Sequence, residues 1–395
     1  MINAVKDFKH WLADRRDFIF SRYTRDAQET QEPEKSLVEL PTEVRQRLVT
    51  GIKNLPSNPA DQQAIVSALE QAYKVWKGNP NNTNNSAVVL SSPVVAASRI
   101  LSETLEAWAE EKQIPLRLLP LTARLQDIEN IKSELDNYLQ SAAEDERSSE
   151  LEIVVIPNLS WCFLRSLDGL EGIEYIQSLL CDGSKNRFWI IGAGQVGWQY
   201  LNSVCGIEAY CGEVFVLPEI ESEDLQSWFE PIIRDLDLEF NQPRIDQQIF
   251  DSNLDNQTGY FNYLADISQG VGTVAAQVFL KSIRCQDSPE ADDHEKQEDK
   301  AKPKSLIAVT PSLPTLPDLE SADQYLLYSL LLHGDLTIAE LAKSLGDLES
   351  DVQGQIQLLR RRGVVEQQDK VIKINPIHYP RVKQELAGNN FIIKR

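Results

Sequence analysis

The chain is poor in the residues from which metal sites, membrane spans and nucleic-acid coats are built. Its 395 residues include only five cysteines and four histidines. Cys162, Cys181, Cys205, Cys211 and Cys285 are odd in number and irregularly spaced, which argues against a disulfide framework and a four-cysteine zinc site. His10, His294, His333 and His378 lie far apart, with no HExxH and no His-Cys cluster. No metal and no cofactor is therefore expected. No apolar run approaches the ~20 residues of a membrane span. The start, Met1 to Asp7, lacks the charged-then-apolar order of a secretory signal, so the expected location is cytoplasmic. Basic residues are scarce as well: 39 Lys+Arg against 60 Asp+Glu give a formal charge of −21. That balance excludes a general nucleic-acid coat, which needs concentrated cations to neutralise phosphates.

What is present suffices for several folded units. The hydrophobic fraction is 42%, and this length suggests two or three domains. Three breaks stand out: the turn-rich Gly78 to Ser86, the polar acidic Ser141 to Ser149, and a longer stretch from Gln286 to about Pro317. The last opens on charged residues around Asp292 to Lys296 and continues through Pro303, Pro311, Pro314 and Pro317, the composition of a flexible linker. The expected organisation is a basic amphipathic segment (1–37), an α/β domain (38–220), a helical lid (221–285), a linker (286–320) and a C-terminal domain (321–395). The C-terminal domain carries ten Lys/Arg and nine Asp/Glu, a net of +1, leaving −22 on the first 320 residues.

Residues 1–25 depart from that acidity, with six basic residues against Asp7, Asp14 and Asp17. Val5, Phe8, Leu12 and Ile19, with Trp11 and Phe18 beside them, recur at helical spacing. Such a stripe can meet an anionic membrane surface or an acidic partner; packing on the protein's own body is the favoured expectation.

Between Ser86 and Pro218, β-rich runs alternate with helical patterns. The runs are Ala87–Leu90, Leu116–Leu119, Ile153–Ile156, Phe188–Ile191 and Val214–Leu217. This alternation predicts a doubly wound, mostly parallel five-stranded α/β sheet. Beyond Pro218 the strand signals stop. Ser222 reads as the N-cap of one helix and Val271–Arg284 as another, which predicts a helical lid.

Function in such a sheet sits at the carboxyl ends of the strands. A P-loop after the first strand needs G-x-x-x-x-G-K-[ST], glycines to let backbone N–H groups wrap phosphates and a Lys to neutralise them. Ser91 and Ala96 stand at the glycine positions and Ala97 at the Lys position; Ser98 alone keeps its type. The third strand runs into Pro157-Asn158, where a nucleotide hydrolase would carry an Asp for Mg²⁺ and often a Glu for the attacking water. The Asn158 amide cannot serve as a general base. The fourth strand ends in Gly192-Ala193-Gly194-Gln195-Val196-Gly197, a G-x-G-x-x-G, with Glu219 about 27 residues beyond Gly192. Gly192, Gly194, Gly197 and Glu219 make an NAD(P) site the alternative expectation. Against it, three strands precede the motif and one follows, whereas the fingerprint belongs on the first strand.

Taken in order, these segments resemble the AAA+ class of P-loop ATPases, in particular its STAND-like regulatory branch. Ala87–Ile100 looks like a Walker A strand, loop and helix, Ile153–Asn158 like a Walker B strand, and Arg187–Ile191 like a sensor-1 strand. Glu213–Pro218 into Ile220–Phe229 looks like the last strand entering the lid. Leu264–Gly270 into Val274–Ala276 resembles a lid helix that opens after a Ser-x-Gly turn. The resemblance implies a winged helix next. It also implies a degenerate nucleotide site at Ser91, Ala96, Ala97, Ser98 and Asn158. With cradle, Lys and metal carboxylate all lost, the expectation is a pseudo-ATPase.

The C-terminal residues fit. An apolar helix spans Tyr325–Leu332, a second follows Thr337 with Glu340 as capping-box partner, and a third covers Glu349–Arg362 before Gly363. Val364–Glu366 and Val371–Ile374 read as a hairpin. Three helices and a hairpin predict a winged helix-turn-helix. Gln353, Gln357, Arg360, Arg361 and Arg362 are its candidate nucleic-acid contacts, which leaves a DNA-binding regulator as a further alternative. Glu349 and Asp351 at the entering end of the third helix repel phosphates, so protein partners are favoured. The function expected is a non-catalytic regulatory or adaptor protein.

Overall fold

The computed structural model describes residues 37–79, 85–95, 97–119, 121, 123–125, 128–140, 152–181, 187–241, 255–286 and 305–393. The basic segment of residues 1–25 and the charged run 287–304 lie outside them, as does Ala96.

A short strand β1 (Leu37–Val38) leads into helices α1 (Thr42–Asn54) and α2 (Pro59–Gly78). The α/β body then alternates β2 (Ser86–Ser91), α3 (Ala97–Lys112), β3 (Leu116–Leu118), α4 (Ile131–Gln140), β4 (Glu152–Ile156), α5 (Glu171–Cys181), β5 (Arg187–Gly194), α6 (Gln195–Cys205) and β6 (Glu213–Val216). Its five strands are parallel and ordered β3-β4-β5-β2-β6. The continuous apolar runs of β2, β4 and β5 are those of strands covered on both faces. Side chains alternate between the faces. Ala87, Val89, Val155, Phe188 and Ile190 pack beneath α2 and α3 with Trp76, Leu101 and Trp108. Val88, Leu90, Val154, Trp189 and Ile191 face the opposite core. The expected five-stranded α/β sheet is thus present.

The lid comprises α7 (Ser222–Leu236), β7 (Leu238–Phe240), α8 (Asn256–Ser268) and α9 (Gly272–Ser282). Phe229, Phe261 and Phe279 stack at its centre. Two expectations need correction here. The helix expected over Val271–Arg284 gives way to a strand β8 (Ile283–Gln286), and the stretch expected to be linker contains β9 (Leu306–Ala308). With β1 and β7 they form a second, four-stranded sheet ordered β1-β8-β9-β7. Leu306, Ile307 and Ala308 are buried, and Leu313, Leu316 and Leu319 pack on the main core. The physical reason is that the prolines alternate with apolar residues, whose spacing of three presents one side of an extended chain to the core. Ser222 is also not the N-cap; it is the first helical residue, after Glu221.

The C-terminal domain contains α10 (Ser321–His333), β10 (Asp335–Thr337), α11 (Ile338–Leu345), α12 (Glu349–Arg361), β11 (Val365–Gln368), β12 (Val371–Ile374) and α13 (Tyr379–Gly388). Its antiparallel sheet runs β10-β12-β11, the layout of a winged helix. Thr337 and Glu340 make both bonds of the capping box. Gly334, Gly346 and Gly363 take positive φ at the three helix ends, where a Cβ would be strained. No helix among the described residues is long and apolar enough to cross a membrane.

Candidate functional site

The connection from β2 crosses towards β3, whereas that from β5 crosses towards β6 on the other side. Opposed crossovers on neighbouring strands open a crevice at their carboxyl ends. Here that point lies where Ser91 pairs with Gly194.

The loop after β2 uses two of its backbone donors internally. The Val95 N–H donates to the Ser92 carbonyl at 3.0 Å and the Ala97 N–H to the Val95 carbonyl at 2.9 Å. These two donors point into the loop, whereas the N–H groups of a phosphate cradle point outward. Ala97 is buried and Ser98 half-buried at the start of α3; Ala96 lies outside the described residues. Arg99 turns away to the Leu55 carbonyl at 2.8 Å and the Glu103 carboxylate at 2.6 Å. Asn158 is engaged locally, its side-chain oxygen accepting from the Ser160 N–H at 3.0 Å as the cap of a 3₁₀ turn over Leu159–Cys162.

The G-x-G-x-x-G also differs from expectation. Gly192 and Gly194 are strand residues, in register with Val89 and Ser91, so the motif is no free loop at its start. A Cβ on Gly192 would collide with the Pro157 carbonyl, and one on Gly197 would lie 2.5 Å from the Leu332 carbonyl oxygen. None of the three has positive φ. Gly192 and Gly197 thus serve the close approach of protein backbone, a requirement that looks identical in sequence to close approach of a pyrophosphate.

A cavity of about 100 Å³ remains at the crevice, against roughly 300–1,000 Å³ for a typical small-molecule pocket. Its lining includes Asp61, Ser91, Gln195, Glu219, Tyr379 and Lys383. Of the expected residues that are described, only Ser91 and Glu219 meet there. Ala97, Ser98, Asn158, Gly192, Gly194 and Gly197 do not line it. Asp61, at the start of α2, has its carboxyl pushed up to about 6 by burial, which favours its neutral form. Tyr379 and Lys383 come from α13, which sequence reasoning missed because it follows the hairpin that ends the winged-helix pattern. Burial raises the Tyr379 phenol above its ordinary value.

The C-terminal domain is fixed in this position by a buried latch. Arg124 donates to the carbonyls of Phe163 (3.0 Å), Ser160 (2.6 Å) and Asp335 (3.0 Å), and lies 3.8 Å from the Glu340 carboxylate. Phe163 and Ser160 follow β4 in the body; Asp335 and Glu340 belong to the winged helix. Its side chain is 3% exposed. The His333 ring lies on Phe163 and accepts from the Arg165 N–H at 3.3 Å. Burial holds His333 well below the usual imidazole range. On the lid side, the turn Pro376–His378 packs on α9, and burial with Lys281 and Arg381 nearby pushes His378 down to about 4.

The opposite face of the domain is open. Gln353, Gln357, Arg360, Arg361 and Arg362 are exposed, with Glu349 and Asp351 at the amino end of α12. Arg360 donates to the Gln367 side chain on β11 at 2.8 Å. Leu348 and Leu358 are exposed by 70% and 54%. Among the described residues, no group of three or more His, Cys, Asp or Glu is placed to hold a metal ion.

No protein-family model and no curated protein matches the chain. Among solved structures it is similar to Cdc6p from Pyrobaculum aerophilum, with 11% identity over 90% of this chain and 99% of that one at TM-score 0.38. It is similar to the ORC2 protein of Aeropyrum pernix, with 12% identity over 90% and 98% at TM-score 0.40. A Thermotoga maritima RuvB variant gives 14% identity over 82% and 94% at TM-score 0.34. At such scores these likenesses assign the chain to no family.

Proposed function

We propose that this chain is a non-catalytic regulatory or adaptor protein that acts through protein contacts. The observation that carries the reading is the state of the crevice. Two of its loop donors bond within the loop, and α13 of the chain's own C-terminal domain lines what remains. Phosphoryl transfer depends on positioned cations and N–H donors around the phosphates, and neither a P-loop Lys nor a Walker B acid stands at the corresponding positions. The outer face of α12 is the surface offered to a partner. Its exposed Leu358, the exposed Leu348 that precedes the helix and its acidic amino end suit a protein surface better than a phosphate backbone.

Thermal unfolding of the full chain with ATP or ADP, with and without Mg²⁺, and with NAD⁺ or NADH tests the crevice. A ligand at a hundred times its Kd adds about 2.7 kcal/mol, enough to raise Tm by degrees. No shift is expected with any of them. A rise with ATP and Mg²⁺ would overturn the reading, and a rise with the dinucleotides alone would restore the NAD(P) alternative. The exposure of Gln353, Gln357 and Arg361 favours one second reading, DNA binding. Salt-sensitive retardation of duplex DNA by the full chain would support it, and none is expected.

A further inference from the structure

The sheet has one uncovered corner. β6 is an edge strand, paired only with β2 among the described residues. Phe215 and Leu217 belong to the face sheltered by α2 and α3, yet both are only half-buried, because α2 does not reach across them. Between them and α2 runs an apolar trough of about 280 Å³, floored by Val89 and walled by Ala64 and Ala68. Two alanines four residues apart are the small-residue row that lets a second helix approach closely. Exposed carboxylates stand at both ends of this edge, Glu213 as the first residue of β6 and Glu219 two residues after Leu217. The trough is therefore suited to an apolar helix stripe flanked by cations.

We infer that the trough is the seat of the chain's own residues 1–25, bound by the stripe Val5, Phe8, Leu12 and Ile19. Three observations select this occupant. The stripe has the helical spacing that an α2-like neighbour needs. Residues 1–25 carry a net +3, leaving −24 on the rest of the chain, so attraction favours the chain's own body. Finally, the eleven residues Asp26–Ser36 connect this segment to β1, at whose end the described chain begins, and can span roughly 36 Å. The segment would complete the cover of the sheet and deny the β6 edge to another strand.

A photo-crosslinking side chain at Leu12 in the full chain tests this, with light and heavy isotope-labelled chains mixed. Adducts are expected at residues 64–68 and 214–217, joining light to light and heavy to heavy. Phe215→Asp should cut their yield at least tenfold, and so should Ala68→Lys, a half-exposed helix position where the fold tolerates a long side chain. Adducts elsewhere on the chain would overturn the proposal, as would unchanged yield in both folded variants. Adducts joining a light to a heavy chain would assign the trough to a second copy. Sedimentation with phosphatidylserine vesicles, abolished by Leu12→Asp and accompanied by no groove adducts, would assign the segment to a membrane surface.

Discussion

The two faces of the C-terminal domain follow opposite rules. Its inner face meets the body with Leu332 on Gly197, His333 on Phe163, Asp335 on Arg124 and Tyr379 at the crevice, all packed or hydrogen-bonded. Its outer face presents Gln353, Gly354, Gln357 and Leu358 to open space. The third helix is the exposed one, whereas the first and last helices, α10 and α13, respectively pack against the body and line the crevice. The difference between the faces predicts where substitutions will cost stability and where they will cost only recognition.

The largest effect is expected at the latch. Arg124→Ala leaves three buried carbonyls without their donor and Glu340 without its nearby cation. Removing one partner from such a network typically costs about 3–5 kcal/mol. Urea denaturation of the full chain should register that loss, and limited proteolysis should cut within residues 305–320 far faster than in the parent. Arg124→Lys should rescue little, because one ammonium cannot reach three carbonyls held in a planar fork.

Acid separates the faces next. His378 titrates near 6.5 when unfolded and near 4 when folded. Between those values the unfolded chain binds the extra proton, so stability is complete above pH 6.5 and is lost as pH falls towards 4, by about 3 kcal/mol at the end of that window. His333 acts in the same direction. Asp61 opposes them: its folded value of about 6 lies above the ordinary 3.8. The folded chain therefore holds the extra proton between those values, and stability falls as pH rises through 6. Denaturation midpoints from pH 4 to 7 should thus flatten in His378→Gln and steepen in Asp61→Asn, while Gln353→Ala on the outer face should reproduce the parental profile.

What was legible in the sequence is what local chemistry decides. The capping box of Thr337 and Glu340, the glycines closing α10, α11 and α12, and the buried runs of β2, β4 and β5 each carry their cause within a few residues. The second sheet and the latch do not. β1, β8 and β9 pair across gaps of hundreds or tens of residues, with two to four residues each, too short for periodicity to register. Arg124 sits in a stretch whose composition says nothing of three carbonyls brought together from residues 160, 163 and 335. The glycine motif misled for a physical reason: Gly192 and Gly197 are glycine because something approaches closely, and the sequence does not say whether that is a phosphate or a carbonyl.

The glycines give the smallest and most direct comparison of the faces. Gly197→Ala places a methyl 2.5 Å from the Leu332 carbonyl oxygen, with backbone on both sides. The helices α6 and α10 must separate to admit it, at about 1–3 kcal/mol. Gly354 lies inside α12 with nothing within 4 Å of where its Cβ would stand. Alanine there removes backbone entropy from the unfolded chain and meets no neighbour, so Gly354→Ala should stabilise by about 0.5–1 kcal/mol. The opposite signs, read as shifts in urea midpoint at constant m, test whether only the inner face is an interface within the chain. Equal losses at both positions would mean that the outer face is also covered, and that the surface assigned to a partner is already occupied.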